Sequence, residues 1–116
     1  MPANKNKGDL VQGTLDMLIL RTLQRDAMHG FAIAKSIEER SEDVLRVEEG
    51  SLYPALYRLE LQGLVKSEWG HAATGHRAKY YRLTSAGRKR LATEQASWAR
   101  LVRAIAKVME PVEEAG

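Results

Sequence analysis

The chain of 116 residues is long enough for one domain with a modest core, and 44% hydrophobic with 28% charged residues is the balance of a folded sequence. It has no cysteine, hence no disulfide framework and no thiolate metal site; it also lacks an apolar leader near its first residues and any run of about 18 apolar residues, so a cytoplasmic protein without a membrane span is expected. Net charge is only +3, but residues 75–90, "GHRAKYYRLTSAGRKR", hold seven Lys, Arg or His against no carboxylate, which points to a polyanionic partner.

Residues 1–9 are polar and aperiodic and read as a tail. From Leu10 to Leu23 an apolar helix is predicted, with Leu15, Leu18, Ile19 and Thr22 on one face and Met17, Leu20 and Leu23 on another. A helix that apolar needs cover on more than one side, and in so small a chain a partner subunit is the expected second cover. "RDAMHG" breaks the pattern. "FAIAKSIEER" then gives a short helix with Phe31, Ile33, Ala34 and Ile37 inward, and "SEDVLRV" is a connector.

"EEGSLYPALYRLELQGLV", residues 48–65, reads as a third helix with Leu52, Leu56 and Leu59 on its core face and Gly63 at its stop. The opposite face carries Pro54, Tyr57, Arg58 and Leu61, with Ser51 and Tyr53 at its edges: too apolar for plain solvation, too polar for a second core. Taking Ser51 as the N-cap puts Pro54 in the first turn, where a missing amide is tolerated; the alternative, a start near Glu49, would require a distorted first turn. Val65, Ser67 and Trp69 then alternate with Lys66 and Glu68 in a half-buried strand, with Trp69 expected in the core. A loop "HAATGHR" and the strand "AKYYRLT" complete a β-hairpin.

Thr84 reads as the N-cap of a long helix running to about Met109 and stopped by Pro111. Leu91, Trp98 and Ile105 lie seven residues apart, and Leu101, Val102, Val108 and Met109 fill the intervening positions of its second half. Such a spacing is a coiled-coil seam, which predicts a homodimer. The expected organisation is a tail over 1–9, a winged helix-turn-helix over 10–84, a dimerisation helix over 85–110 and a tail over 111–116. The fold class is mainly α with a small β-hairpin.

In that architecture the second helix of the motif enters a DNA major groove and the hairpin acts as a wing. Tyrosine hydroxyls can then bond phosphate, Pro54 and Leu61 can touch thymine methyls, and Arg58 can read guanine or grip phosphate. Beyond this, the segments "QGTLDMLILRTL", "HGFAIAKSIEERS", "EEGSLYPALYRLELQGLV" and "AKYYRLTSAGRKRL" resemble the signature blocks of the PadR family of transcriptional regulators, over about residues 10–110. The resemblance implies a dimeric winged-helix regulator, mostly repressive, of the subgroup with a single C-terminal helix. It places Tyr53, Pro54, Tyr57 and Arg58, next to Ser51, on the recognition helix, and Arg77 and Lys79 on the wing. It places Trp98 where some relatives line an interfacial pocket for flat aromatic ligands.

These readings define the expected sites and their rivals. Ser51, Tyr53, Pro54, Tyr57, Arg58, Arg77 and Lys79 form the expected DNA face. Tyr53 has the alternative of packing against the hairpin or long helix, and Arg77 and Lys79 that of a solvated loop. Leu15, Ile19, Leu91, Leu101, Val102 and Ile105 form the expected dimer contact. Trp98 is either an effector contact for a planar aromatic compound or a core anchor of the seam. Arg88, Lys89 and Arg90 stand at a helix N-terminus, where cations oppose the macrodipole, and serve either phosphate or solvent. His29, His71 and His76 lack metal-ligand spacing, and no cofactor is expected. No nucleophile–base pair or phosphate-cradling glycine loop points to an enzyme. The alternative function is a winged-helix module that binds protein without specific DNA binding.

Overall fold

The computed structural model describes residues 12–112; the expected tail over 1–9, the start of the first helix and residues 113–116 lie outside the described residues. The elements run α1 (Gln12–Thr22), β1 (Met28–His29), α2 (Gly30–Arg40), α3 (Glu49–Leu61), β2 (Val65–His71), β3 (Arg77–Leu83) and α4 (Ser85–Met109). Helices α1, α2 and α3 pack around one core, and the three strands form an antiparallel sheet in the order β1-β3-β2. This is the expected winged helix with a long last helix. The short β1, which pairs Met28 with Tyr81 and His29 with Tyr80, was not foreseen.

Helix α1 buries Leu15, Met17, Ile19 and Leu20 among its own chain's helices, so its apolar faces are already covered. That corrects the expectation that Leu15 and Ile19 meet a partner subunit. Helix α2 begins at a cap the sequence reading missed: His29 Nδ1 accepts from the Ala32 N–H at 3.1 Å. With the helix phased from that cap, Gly30, Ile33 and Ile37 share the inner line. Phe31 lies off it and is 68% exposed, against the expectation that it points inward.

Helix α3 starts two residues before the expected cap. The N–H groups of Ser51 and Leu52 both donate to the Glu48 carbonyl, at 3.0 and 2.9 Å, so Ser51 is already helical and Glu48 is the cap residue. Pro54 therefore sits inside the helix; the acceptor it leaves without an amide belongs to exposed Gly50, where water can reach it. Leu52, Leu56 and Leu59 are buried as their spacing predicts. The helix ends in a Schellman turn: the Leu64 N–H donates to the Leu59 carbonyl and the Gly63 N–H to that of Glu60, with Gly63 at φ +74°.

That turn is also the anchor of α4. The Thr84 hydroxyl donates to the Gly63 carbonyl at 2.7 Å and the Thr84 N–H to the Leu64 carbonyl at 3.1 Å. The same hydroxyl oxygen caps α4 by accepting from the Gly87 N–H at 3.0 Å, as expected of Thr84. Gly87 is buried so closely that a Cβ there would run into the Leu64 carbonyl oxygen and come within 2.8 Å of Leu83 Cδ1. From this joint α4 runs outward, and its second half projects from the body of the domain. The longest dimension of the chain is 66 Å against 31 and 27 Å.

Gly87→Ala should therefore destabilise the chain by roughly 2–3 kcal/mol through overpacking against backbone that has no rotamer to yield. A lowered urea midpoint at fixed protein concentration is the measurement. The same change at exposed Gly13, with nothing among the described residues within 4 Å of its Cβ position, should leave the midpoint in place or raise it.

Candidate nucleic-acid interface

Burial of the leucine stripe determines what α3 shows to solvent. Ser51, Tyr53, Pro54, Tyr57 and Leu61 are all exposed, as the helical phase predicts, and Tyr57 is 64% exposed. Tyr53 is only partly free. Its ring lies over Gly30 at the start of α2, so close that a Cβ on Gly30 would come within 2.5 Å of the hydroxyl oxygen.

Arg58 departs from the expected outer face. Its Nη2 donates to Asp16 Oδ1 of α1 at 2.9 Å, and its Nε is buried without an acceptor among the described residues. The physical reason is local: Asp16 is a carboxylate in an apolar helix packed against α3, and it draws the guanidinium inward. Burial pushes the Asp16 carboxyl above its ordinary range, outweighing the opposing pull of Arg58. Nearby Glu94 raises it further and Arg90 lowers it, so Arg90 of the basic cluster on α4 belongs to this charge group. Asp16 was missed in the sequence, although a lone acid inside the run "LDMLIL" is itself a signal that a cation must lie opposite.

Glu60, on the C-terminal half of α3, ties the helix to both strands of the hairpin. It accepts from the Ser67 hydroxyl on β2 at 2.6 Å through one oxygen and pairs with Lys79 Nζ on β3 at 3.9 Å through the other. Buried Tyr81, which follows Lys79 by two positions, has its phenol pKa raised by burial first and then by Glu60 and Tyr53. The hairpin register sets Trp69 opposite Lys79 and His71 opposite Arg77. The Tyr80 hydroxyl bonds the His71 carbonyl at 3.1 Å and helps hold the two strands together near the tip.

Trp69 corrects another expectation. It is 58% exposed rather than in the core, because it overhangs the end of the buried part of the sheet. The Arg77 guanidinium carbon stands 4.4 Å from its ring centroid and Lys79 Nζ 6.0 Å. A shallow cleft joins this wing surface to the helices, lined by Phe31 and Gly30 of α2, Tyr53 of α3, and Trp69, Arg77 and Lys79 of the hairpin. The exposed edge of α3 and the wing cations thus share one side of the molecule.

On α4, Leu101, Val102, Ile105, Val108 and Met109 are exposed, an apolar stripe along the projecting half. Leu91 is not part of it; at 1% exposure it belongs to the domain's core, a correction to its expected place in a dimer contact. Trp98 is 51% exposed beside a depression bounded by Gly13, Thr14, Met17, Glu94 and Leu101.

A three-helix core with a helix-turn-helix pair, a cationic hairpin and a long final helix is a winged-helix DNA-binding architecture. Over residues 19–93 the chain matches the transcriptional regulator PadR-like family, and it belongs to that family. It is 36% identical to a transcriptional regulator of Mycobacterium tuberculosis over 87 residues, covering 75% of this chain and 78% of that protein. A PadR family transcriptional regulator from Eggerthella lenta superposes with a TM-score of 0.73 at 37% identity, over 87% of this chain and 86% of that one. A transcriptional regulator from Clostridium thermocellum gives 0.75 at 31%, over 83% and 93%. The chain is accordingly a DNA-binding regulator of transcription.

The raised Asp16 pKa predicts a particular pH dependence. A carboxyl that holds its proton more tightly folded than unfolded favours the folded state most below its ordinary value of 3.8, and that contribution is lost as pH rises through the raised value. Asp16→Asn, which keeps an acceptor for Arg58 without the charge, removes this loss. Its stability relative to the unmodified chain should rise from pH 3 towards pH 6, read from urea midpoints across that range; a relative stability that falls over the same range would mean that the ion pair outweighs burial.

Proposed function

We propose that the protein is a homodimeric repressor that holds a pseudo-palindromic operator through α3 and the hairpin of each subunit. The single observation that carries this reading is the exposed Ser51, Tyr53, Pro54 and Tyr57 edge of α3, continuous with Arg77 and Lys79 of the wing. Polar and apolar side chains on a helix backed by a rigid core suit base edges and thymine methyls, and flanking cations suit phosphate. Arg58, engaged by Asp16, supports the helix from behind in this scheme. Dimerisation falls to the stripe of Leu101, Val102 and Ile105, whose 3–4 spacing suits a helix of a second copy. Two such subunits would set their recognition helices in major grooves about one turn, ~10 bp, apart.

In the same scheme Trp98 is the effector contact. It sits at the start of the apolar stripe with Glu94 one turn before it, and a planar aromatic compound stacked there would touch both subunits. Such a compound relieves repression only by as much as its affinity differs between the DNA-bound and free spacings of the dimer.

The test is selection of duplexes from a random pool, followed by mobility shift of the selected duplex at two salt concentrations. Tyr57→Ala should weaken the selected duplex by roughly 1–3 kcal/mol while leaving scrambled DNA nearly unaffected. Leu101→Glu with Ile105→Glu should give monomers on ultracentrifugation, because unpaired charge buried at a seam costs several kcal/mol. Retention of a dimer would remove the seam from the scheme, and unchanged binding by Tyr57→Ala would remove the α3 face.

A further inference from the structure

The exposed Trp69 has no role in the scheme above, and its surroundings give it one. It lies on the face of the hairpin that begins in the core at Val65 and Leu83, passes Ser67 and Tyr81, and ends with Trp69 opposite Lys79 beyond the buried region. Arg77, two positions before Lys79, falls on the same face, and its guanidinium rests over the indole at 4.4 Å. Across the cleft stand Phe31, 68% exposed, and Tyr53. Three aromatic surfaces and two cations therefore converge on one groove between the wing and the helix-turn-helix.

We infer that this groove seats a segment of DNA sugar–phosphate backbone, and that Trp69 is a positioning residue that holds Arg77 flat for the phosphate. The inference rests on the DNA-facing reading of α3 and the wing and adds a site to it. An arginine stacked on an indole keeps its N–H donors around the edge of the guanidinium plane, where they can take a phosphate in a bidentate fashion. Long side chains on a hairpin otherwise lose rotamer freedom on binding, and stacking in the free protein removes part of that cost. Phe31 and Tyr53 offer apolar surface to the deoxyribose that accompanies the phosphate. Charge complementarity selects the occupant: among the described residues the groove is lined by Arg77 and Lys79 and by no carboxylate, although Glu60 holds Lys79 from behind. It is also continuous with the α3 edge, so backbone leaving the major groove beside Tyr53 meets it next. The ligand is the same in every sequence, so the site contributes affinity and register rather than base choice.

The test uses the full chain and two duplexes of equal length, the one selected from the random pool and a scrambled one. Trp69→Leu should weaken both by about two- to fivefold, the range expected for an exposed cation–π pair. It should also reduce the slope of log affinity against log salt by up to about one unit, as a phosphate contact is lost. Trp69→Phe, which keeps an aromatic face, should restore most of the affinity. Arg77→Ala should cost less in the Trp69→Leu background than alone, since the two act as one unit. In a Trp98→Phe host, where Trp69 is the remaining tryptophan, either duplex should change the fluorescence with the midpoint of the mobility shift. Trp69→Leu binding with an unchanged slope, or full additivity of the two substitutions, overturns the assignment. If Tyr57→Ala still loses the selected duplex in that event, the α3 reading stands and only the groove fails; if the unmodified chain binds neither duplex, both fail.

Discussion

One helix has to satisfy two surfaces at once, and the rest of the molecule is arranged to let it. Leu52, Leu56 and Leu59 are sealed against α1, α2 and the start of the sheet, and their burial fixes the rotation of α3 about its own axis. A rotation of one position would carry an apolar side chain into water and a tyrosine into the core, at about 2 kcal/mol or more for each leucine exposed. The outer edge from Ser51 to Tyr57 is therefore held by packing in which only Tyr53, over Gly30, takes part. Arg58 strengthens this from behind, because a guanidinium paired with Asp16 resists both rotation and sliding.

The hairpin and the long helix are keyed to the same element at its far end. Glu60 reaches Ser67 and Lys79, one on each strand, so the wing is set by the helix rather than by its own loop. Two residues beyond α3, the carbonyls of Gly63 and Leu64 receive Thr84, and the Leu64 carbonyl leaves no room for a side chain at Gly87. Helix α3, the wing and α4 thus meet within one turn of chain. A change in the direction of α4 has a short mechanical path to α3, through the Thr84 hydroxyl and backbone contacts.

Much of this was legible in the sequence because periodicity reports angle. The leucine stripe of α3, the Thr84 cap, the two strands of the hairpin and the stop at Pro111 all follow from spacing and turn chemistry. What spacing does not report is how far a core extends along an element. Trp69 shares a sheet face with buried Val65 but lies past the end of the core, so alternation assigned it to the wrong environment. Leu91 and Ile105 share one heptad line, yet the first is roofed by its own domain and the second is not; the line continues while the neighbour changes. Phe31 and Ser51 failed for a different reason. Each depended on where a helix begins, and the caps are a histidine ring nitrogen and a glutamate without a side-chain bond, neither of which is a strong sequence signal. Arg58 required knowing that Asp16 lies across from it, a relation that only tertiary packing supplies.

Because α4 is one unbroken helix of 25 residues, welded at Thr84 and Gly87 and bare at its far half, it behaves as a keyed shaft. Its apolar stripe has a fixed angular phase relative to α3. Deleting or adding one residue between Leu91 and Trp98 would turn that stripe by about 100° and shift it by ~1.5 Å, without disturbing the domain at its root. Adding seven would return the stripe to within ~20° of its original bearing while moving it ~10 Å farther out. If the stripe is the seam proposed above, length changes in this segment would be tolerable in heptad steps and disruptive between them. In the proposed dimer, with two heads joined through α4, their spacing would change by whole notches and not by gradual stretching.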